Sequence, residues 1–123
     1  MKIGIVSDTH RNTDLLADAV EWLGRRHGIA TLYHLGDDYE DLGGLAESQL
    51  EIVQVPGIYH NGYRDGSIPP RAFETVLGLR ILLLHSTEKD LTDEDRHSAD
   101  VVLYGHTHRP SVKAVDGRLL VNT

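Results

Sequence analysis

Two histidines, His106 and His108, sit two residues apart behind an apolar run, Val101-Val102-Leu103-Tyr104, and a glycine. The run reads as a buried strand. Gly105 permits a sharp turn, and Pro110 ends the element. With an extended backbone at that turn, the two imidazoles point to opposite sides. One ion does not easily take both, whereas two neighbouring ions take one each. Alone, such a pair is equally well a polar surface turn, but other strands end in the same way. Residues 2–7 lead into Asp8-Thr9-His10, a hard oxygen donor beside an imidazole. Residues 31–35 lead into Gly36-Asp37, and residues 79–84 lead into His85.

Four strand ends therefore carry two carboxylates and four imidazoles. In an open α/β sheet, functional sites lie beyond the carboxyl ends of the strands, so all six groups can converge on one edge. Six donors are too many for one catalytic ion that keeps open positions. They suit two ions about 3.5–4 Å apart sharing a carboxylate. A metal-free cluster of these groups leaves several of them without clear partners.

The elements that would position them follow in order. Leu15, Leu16, Ala19, Val20 and Leu23 recur at helical spacing. Asn12 or Thr13 can cap that helix, and Arg25-Arg26-His27 suits its C-terminal dipole. A short helix is expected over 41–50 and a third strand over 51–55. Residues 57–71, rich in Gly and Pro, read as a loop facing substrate. Strands over 73–77 and 79–84 form a hairpin around Gly78. Residues 88–98 read as one charged surface helix that only connects. Asp116-Gly117 joins the last two apolar runs as a hairpin. The opening strand–helix alternation predicts a parallel sheet, and the hairpins of the second half predict mixed sheets.

A chain of 123 residues forms one domain and buries roughly two-thirds of its unfolded surface. The absence of cysteine excludes disulfides, zinc–thiolate sites and iron–sulfur clusters. A formal net charge of −7, with no basic stripe, argues against binding long nucleic acid by its phosphates. Met1-Lys2-Ile3 opens directly into a strand that Asp8 interrupts early, so neither a signal peptide nor a membrane span is expected. The expected location is the cytoplasm.

Asp8-x-His10, Gly36-Asp37, His85 and Gly105-His106-x-His108 together resemble the motif set of the calcineurin-like metallophosphoesterase superfamily. The match is to its small single-domain bacterial and archaeal phosphodiesterase-like branch, and it covers the whole chain in the family's order. The resemblance implies an α/β fold in which two mixed β-sheets pack as a sandwich flanked by helices, four layers in the order αββα. It implies a single domain over 1–123, shortened at its C-terminus. Relatives run on past a Gly-Ser turn, and this chain reaches Val121-Asn122-Thr123 where that turn would come.

The resemblance also assigns roles. Asp8, His10 and His108 would hold one ion, His85 and His106 the other, and Asp37 would bridge both. Manganese is the first expectation, with iron, nickel, cobalt, zinc or magnesium as alternatives. The implied reaction is hydrolysis of a small phosphorylated substrate, a phosphodiester before a monoester. Tyr59 or His60 would protonate the leaving group. Arg64 and Arg71 are candidates for phosphate, although loop solubility explains them slightly better. One departure stands out: the family's Gly-Asn pair reads Gly57-Ile58 here, so the second ion lacks a ligand unless His60 or Asn61 replaces it. That loss points towards the alternative of a non-catalytic protein-binding scaffold. The sequence leaves a homo-oligomer open.

Overall fold

The computed structural model describes residues 2–37, 40, 42–43 and 49–123. Strand β1 (Ile3–Val6) enters helix α1 (Thr13–His27), followed by β2 (Thr31–His34) and β3 (Glu51–Gln54). These strands form a wholly parallel sheet in the order β1-β2-β3. Then come the one-turn helix α2 (Asn61–Arg64), β4 (Arg71–Val76), β5 (Leu79–Leu84), α3 (Thr87–Asp90), α4 (Asp93–Ser98), β6 (Val101–Tyr104), β7 (Ser111–Val115) and β8 (Arg118–Asn122). The second sheet runs β4-β5-β6-β8-β7. It mixes two antiparallel hairpins with the parallel pairs β5–β6 and β6–β8.

Side-chain alternation along single strands builds the four layers. In β2, Leu32 packs outward with Leu16, Val20 and Ile29 against α1, while Tyr33 and the following Leu35 face inward. In β5, Ile81 and Leu83 face inward, and Leu82 and Leu84 turn out towards Ala99 and Leu91. The inward sets meet in a cluster of Tyr33, Leu35, Val55, Ile81, Leu83 and Leu103. Three apolar interfaces therefore separate helix, sheet, sheet and helix.

Helix α1 starts where Asn12 accepts from the Leu15 backbone N–H and stops at Gly28, whose φ of 63° is left-handed. Glycine adopts that conformation without strain. Both expected hairpins form, around Leu77-Gly78 and Asp116-Gly117. Three expectations change. The 57–71 loop contains α2, capped by His60. The charged 88–98 segment is two helices, because Leu91 and Thr92 are extended and Thr92 forms a capping box with Asp95. That segment is also more than a connector, since Asp95 is buried and ion-paired to Arg71. The helix expected over 41–50 lies largely outside the described residues.

Candidate metal centre

The carboxyl ends of β1, β2, β5 and β6 meet at one edge of the sandwich. Within the first sheet, the Asp8 N–H donates to the Gly36 carbonyl at 2.9 Å. Within the second, the Gly105 N–H donates to the His85 carbonyl at 3.1 Å. Two bonds then cross between the sheets. The His106 N–H donates to Asp8 Oδ2 at 3.1 Å, and His85 Nδ1 lies 2.7 Å from the Leu35 carbonyl oxygen.

All six residues singled out by the strand ends come together here. One donor atom each from Asp8, His10, Asp37 and His108 lie within 4.8 Å of one another. His10 Nε2 is 3.4 Å from Asp37 Oδ2 and 3.2 Å from His108 Nε2. His108 Nε2 is 3.4 Å from Asp8 Oδ1. His85 Nε2 is 3.3 Å from Asp37 Oδ1 and 3.1 Å from His106 Nδ1. Asp37 thus stands between a His10–His108 pair and a His85–His106 pair. The His85 side chain is fully buried, the carboxylates are nearly so, and His10 and His108 are about half exposed.

The two imidazoles of the His-x-His motif do part company, but not through an extended turn. His106 and His108 have φ of 72° and 57°, and Asp8, His10 and Asp37 have 55°, 47° and 63°. Five of the six residues thus occupy the left-handed region, sparsely populated by non-glycine residues and concentrated at functional sites. Close approach by glycine backbone completes the packing. A Cβ on Gly36 would lie 2.6 Å from His85 Nδ1, and one on Gly105 would lie 2.7 Å from Asp8 Oδ2. One on Gly57 would run into the Asp37 carboxylate.

The two carboxyls share an environment and shift in opposite directions. Burial pushes Asp37 up, and although His85 opposes this, the neighbouring Asp8 charge adds to the rise. Burial acts on Asp8 in the same sense, but the Ser7 hydroxyl, Asp37 and the His106 amide outweigh it and hold Asp8 below its ordinary value. Asp8 Oδ1 is buried and accepts no well-formed hydrogen bond among the described residues.

Sequence reasoning missed the groups that hold this centre. His34 is fully buried. Its Nδ1 accepts from the Gly36 N–H at 3.2 Å, so Nε2 carries the proton and donates to Thr9 Oγ1 at 3.1 Å. Ser7 Oγ donates to Asp8 Oδ2 at 2.6 Å and receives the Thr123 hydroxyl at 2.6 Å. Asn122 Nδ2 donates to Thr107 Oγ1 at 2.5 Å between the two histidines. A histidine in an otherwise apolar strand was the one available signal.

A groove of about 420 Å³ opens from the centre, and its lining includes Arg11, Glu40, Tyr59 and His60. Gly62 N–H donates to His60 Nδ1 at 2.9 Å, so His60 Nε2 carries the proton that it gives to Glu40 at 2.6 Å. This bond holds the Glu40 carboxyl below its ordinary value. Tyr59 is 69% exposed, and the Arg64 guanidinium lies 5.9 Å from its ring centroid. Arg71 is engaged with Asp95. Among the described residues that line the groove, the arginine is instead Arg11, which the sequence did not single out.

The comparisons with known proteins agree with this fold. Phosphodiesterase MJ0936 of Methanocaldococcus jannaschii is 27% identical over 138 residues, which cover 99% of this chain and 82% of that protein. A structure described as a novel archaeal phosphodiesterase matches with a TM-score of 0.78 at 25% identity, covering 99% of this chain and 82% of that one. Vps29 of Chaetomium thermophilum shares the fold, with a TM-score of 0.71 at 21% identity over 98% of this chain and 67% of its own. The model of the calcineurin-like phosphoesterase superfamily domain matches residues 1–123, and the chain belongs to that superfamily.

Proposed function

We propose that the protein is a metal-dependent phosphoesterase that hydrolyses small phosphodiesters. The observation that carries this reading is the convergence of Asp8, His10, Asp37 and His108 donor atoms within 4.8 Å, with the His85–His106 pair on the other side of Asp37. The donors fit divalent ions. Asp8 Oδ1 is a buried anionic oxygen without a good hydrogen-bond donor. The Leu35 carbonyl accepts from His85 Nδ1, so His85 Nε2 turns its lone pair inward, as an outer hydrogen bond does for a ligating imidazole.

Asp8, His10, Asp37 and His108 would hold one ion, and Asp37, His85 and His106 the second. Mixed imidazole and carboxylate donors suit manganese, iron, nickel, cobalt, zinc or magnesium, with manganese the first to test. Such a pair of ions supplies Lewis-acid polarisation of a phosphoryl oxygen and acidification of water. The chain's own groups act around it. Arg11 offers positive charge to the phosphate from within the groove. Tyr59, which lines the groove, would give a proton to the leaving alkoxide. His60 donates a hydrogen bond from Nε2 to Glu40 and accepts one at Nδ1 from the Gly62 N–H, so its contribution is to fix the groove wall.

The test is release of p-nitrophenolate from bis(p-nitrophenyl) phosphate by chelator-stripped protein, with divalent metals added back singly. Metal-restored turnover is expected. No turnover with any metal overturns the reading. Ile58 at the position of the family's asparagine favours the second reading, a protein-binding scaffold with a weakened second site. A folded, metal-binding but inactive protein would establish that alternative.

A further inference from the structure

The centre opens onto two grooves of opposite character. The first is the polar one, lined by Arg11, Glu40, Tyr59 and Asn61. The second, of about 430 Å³, runs from Asp8 and His10 along the first two turns of α1, over Val6, Leu15, Leu16 and Ala19. Ser7, Thr9 and Asn12 also line it near the centre, but its surface is mainly apolar. Leu15 and Ala19 are four residues apart and form a continuous shelf along the helix. Leu16 faces the core at 3% exposure, whereas Leu15 is 62% exposed. The side chain of Leu15 contributes nothing evident to folding, yet it lies one turn beyond the ligand-bearing loop. His10 lines both grooves.

A phosphodiester carries two substituents on one phosphorus. We infer that the substrate of this enzyme is an asymmetric phosphodiester with one aliphatic arm, which lies along Leu15 and Ala19, and one polar arm, which lies between Tyr59 and Asn61. This rests on the phosphodiesterase reading above and adds to it the chemical class of the two arms. The grooves meet at His10 and the carboxyl pair, so one phosphate at the centre reaches both. An aliphatic arm gains from leaving water, whereas a second polar arm would lose hydrogen bonds on the apolar shelf.

The experiment uses the full chain with whichever divalent metal restores turnover of bis(p-nitrophenyl) phosphate, or each metal in turn if none does, and three p-nitrophenyl phosphodiesters whose second arm is methyl, n-butyl or n-hexyl. Release of p-nitrophenolate is followed for each. KM is expected to fall by about tenfold or more from methyl to hexyl, the yield of five methylenes that are each about half buried. In Leu15→Ser, the ratio of the methyl and hexyl KM values should collapse towards one. Leu77→Ser, an exposed leucine in the β4–β5 turn, should keep the wild-type ratio. Hydrolysis of all three esters with no dependence on arm length overturns the inference and leaves the phosphodiesterase reading standing. A wild-type ratio in Leu15→Ser also overturns it. No hydrolysis of any ester overturns the phosphodiesterase reading and the inference together.

Discussion

His85 Nδ1 lies 2.7 Å from the carbonyl oxygen of Leu35, fifty residues away and in the other sheet. A carbonyl only accepts, so Nδ1 carries the proton. The bond thereby fixes both the tautomer and the distance between the two sheets at the base of the centre. It also sets His85 Nε2 3.3 Å from Asp37 Oδ1, which makes Asp37 the residue on which both histidine pairs depend.

Asp37→Asn should accordingly lose metal and activity together, because the negative charge facing both histidine pairs is removed and one of the two oxygens becomes an amide nitrogen that cannot ligate. Metal content of the purified variant and turnover of an aryl phosphodiester check this. His27→Gln and His97→Gln, on the end of α1 and in α4, should keep wild-type metal content. Normal turnover in Asp37→Asn would overturn its central role. Calorimetric titration of the wild type should give two unequal affinities, the weaker on the side of His85 and His106.

Gly57→Ala tests close approach. Its Cβ would meet the Asp37 carboxylate and lie 2.8 Å from the Asp37 backbone nitrogen. Displacing Asp37 by even a few tenths of an ångström spoils a metal site while leaving three apolar clusters intact. Activity is expected to fall by about 10²-fold or more, with stability reduced by about 1–3 kcal/mol. Wild-type activity would show that Asp37 is held less tightly than its packing implies.

His60→Ala removes the acceptor of the Gly62 N–H and the partner of Glu40. Loss of the α2 cap should cost about 1 kcal/mol. A fall in turnover with metal content unchanged would place His60 in the groove wall. Lost metal would instead make it a replacement for the missing asparagine. Ile58→Asn assayed beside it should raise second-site affinity only if the loop keeps the family's geometry.

Two carboxyls in the 88–98 segment should respond to pH in opposite senses. Burial raises Asp95, but the Thr92 backbone and hydroxyl and the Arg71 guanidinium outweigh it, leaving its value below the ordinary one. Its stabilisation is therefore present above the unfolded value, about 3.9, and is lost as pH falls through the folded one. Asp95→Asn should cost about 2–4 kcal/mol at pH 7 and progressively less below pH 4. Asp90 is raised, first by burial, with the Tyr63 hydroxyl and the His85 and Arg71 charges opposing. Its ionisation then destabilises the fold above pH 4. Asp90→Asn should gain about 1 kcal/mol at pH 7 and nothing at low pH, where both forms are neutral. Thermal unfolding across pH 3–8 reads both variants.

The layers were legible because they rest on local pattern. Tyr33 and Leu35 alternate with Leu32 and His34, and period-two alternation assigns each to a sheet face before any partner is known. Asp116-Gly117 specifies its hairpin for the same reason, since the turn demands left-handed backbone at adjacent residues. The six donors were legible because strand ends in such a fold share one edge.

What lay beyond the sequence was decided by contacts between residues far apart in the chain. His34 looks like an odd polar residue in a buried strand until Thr9 and Gly36 fold against its two nitrogens. Arg71 looks like a phosphate ligand until Asp95, twenty-four residues later, arrives to bind it. The division of labour between Asp8 and Asp37 depends on Ser7 and on the His106 amide, ninety-eight residues from Asp8. A side chain's type is written in the chain, but its protonation and its partner are set by which buried group happens to face it. The tertiary structure determines that, through contacts within each sheet and its helices as well as between the two sheets.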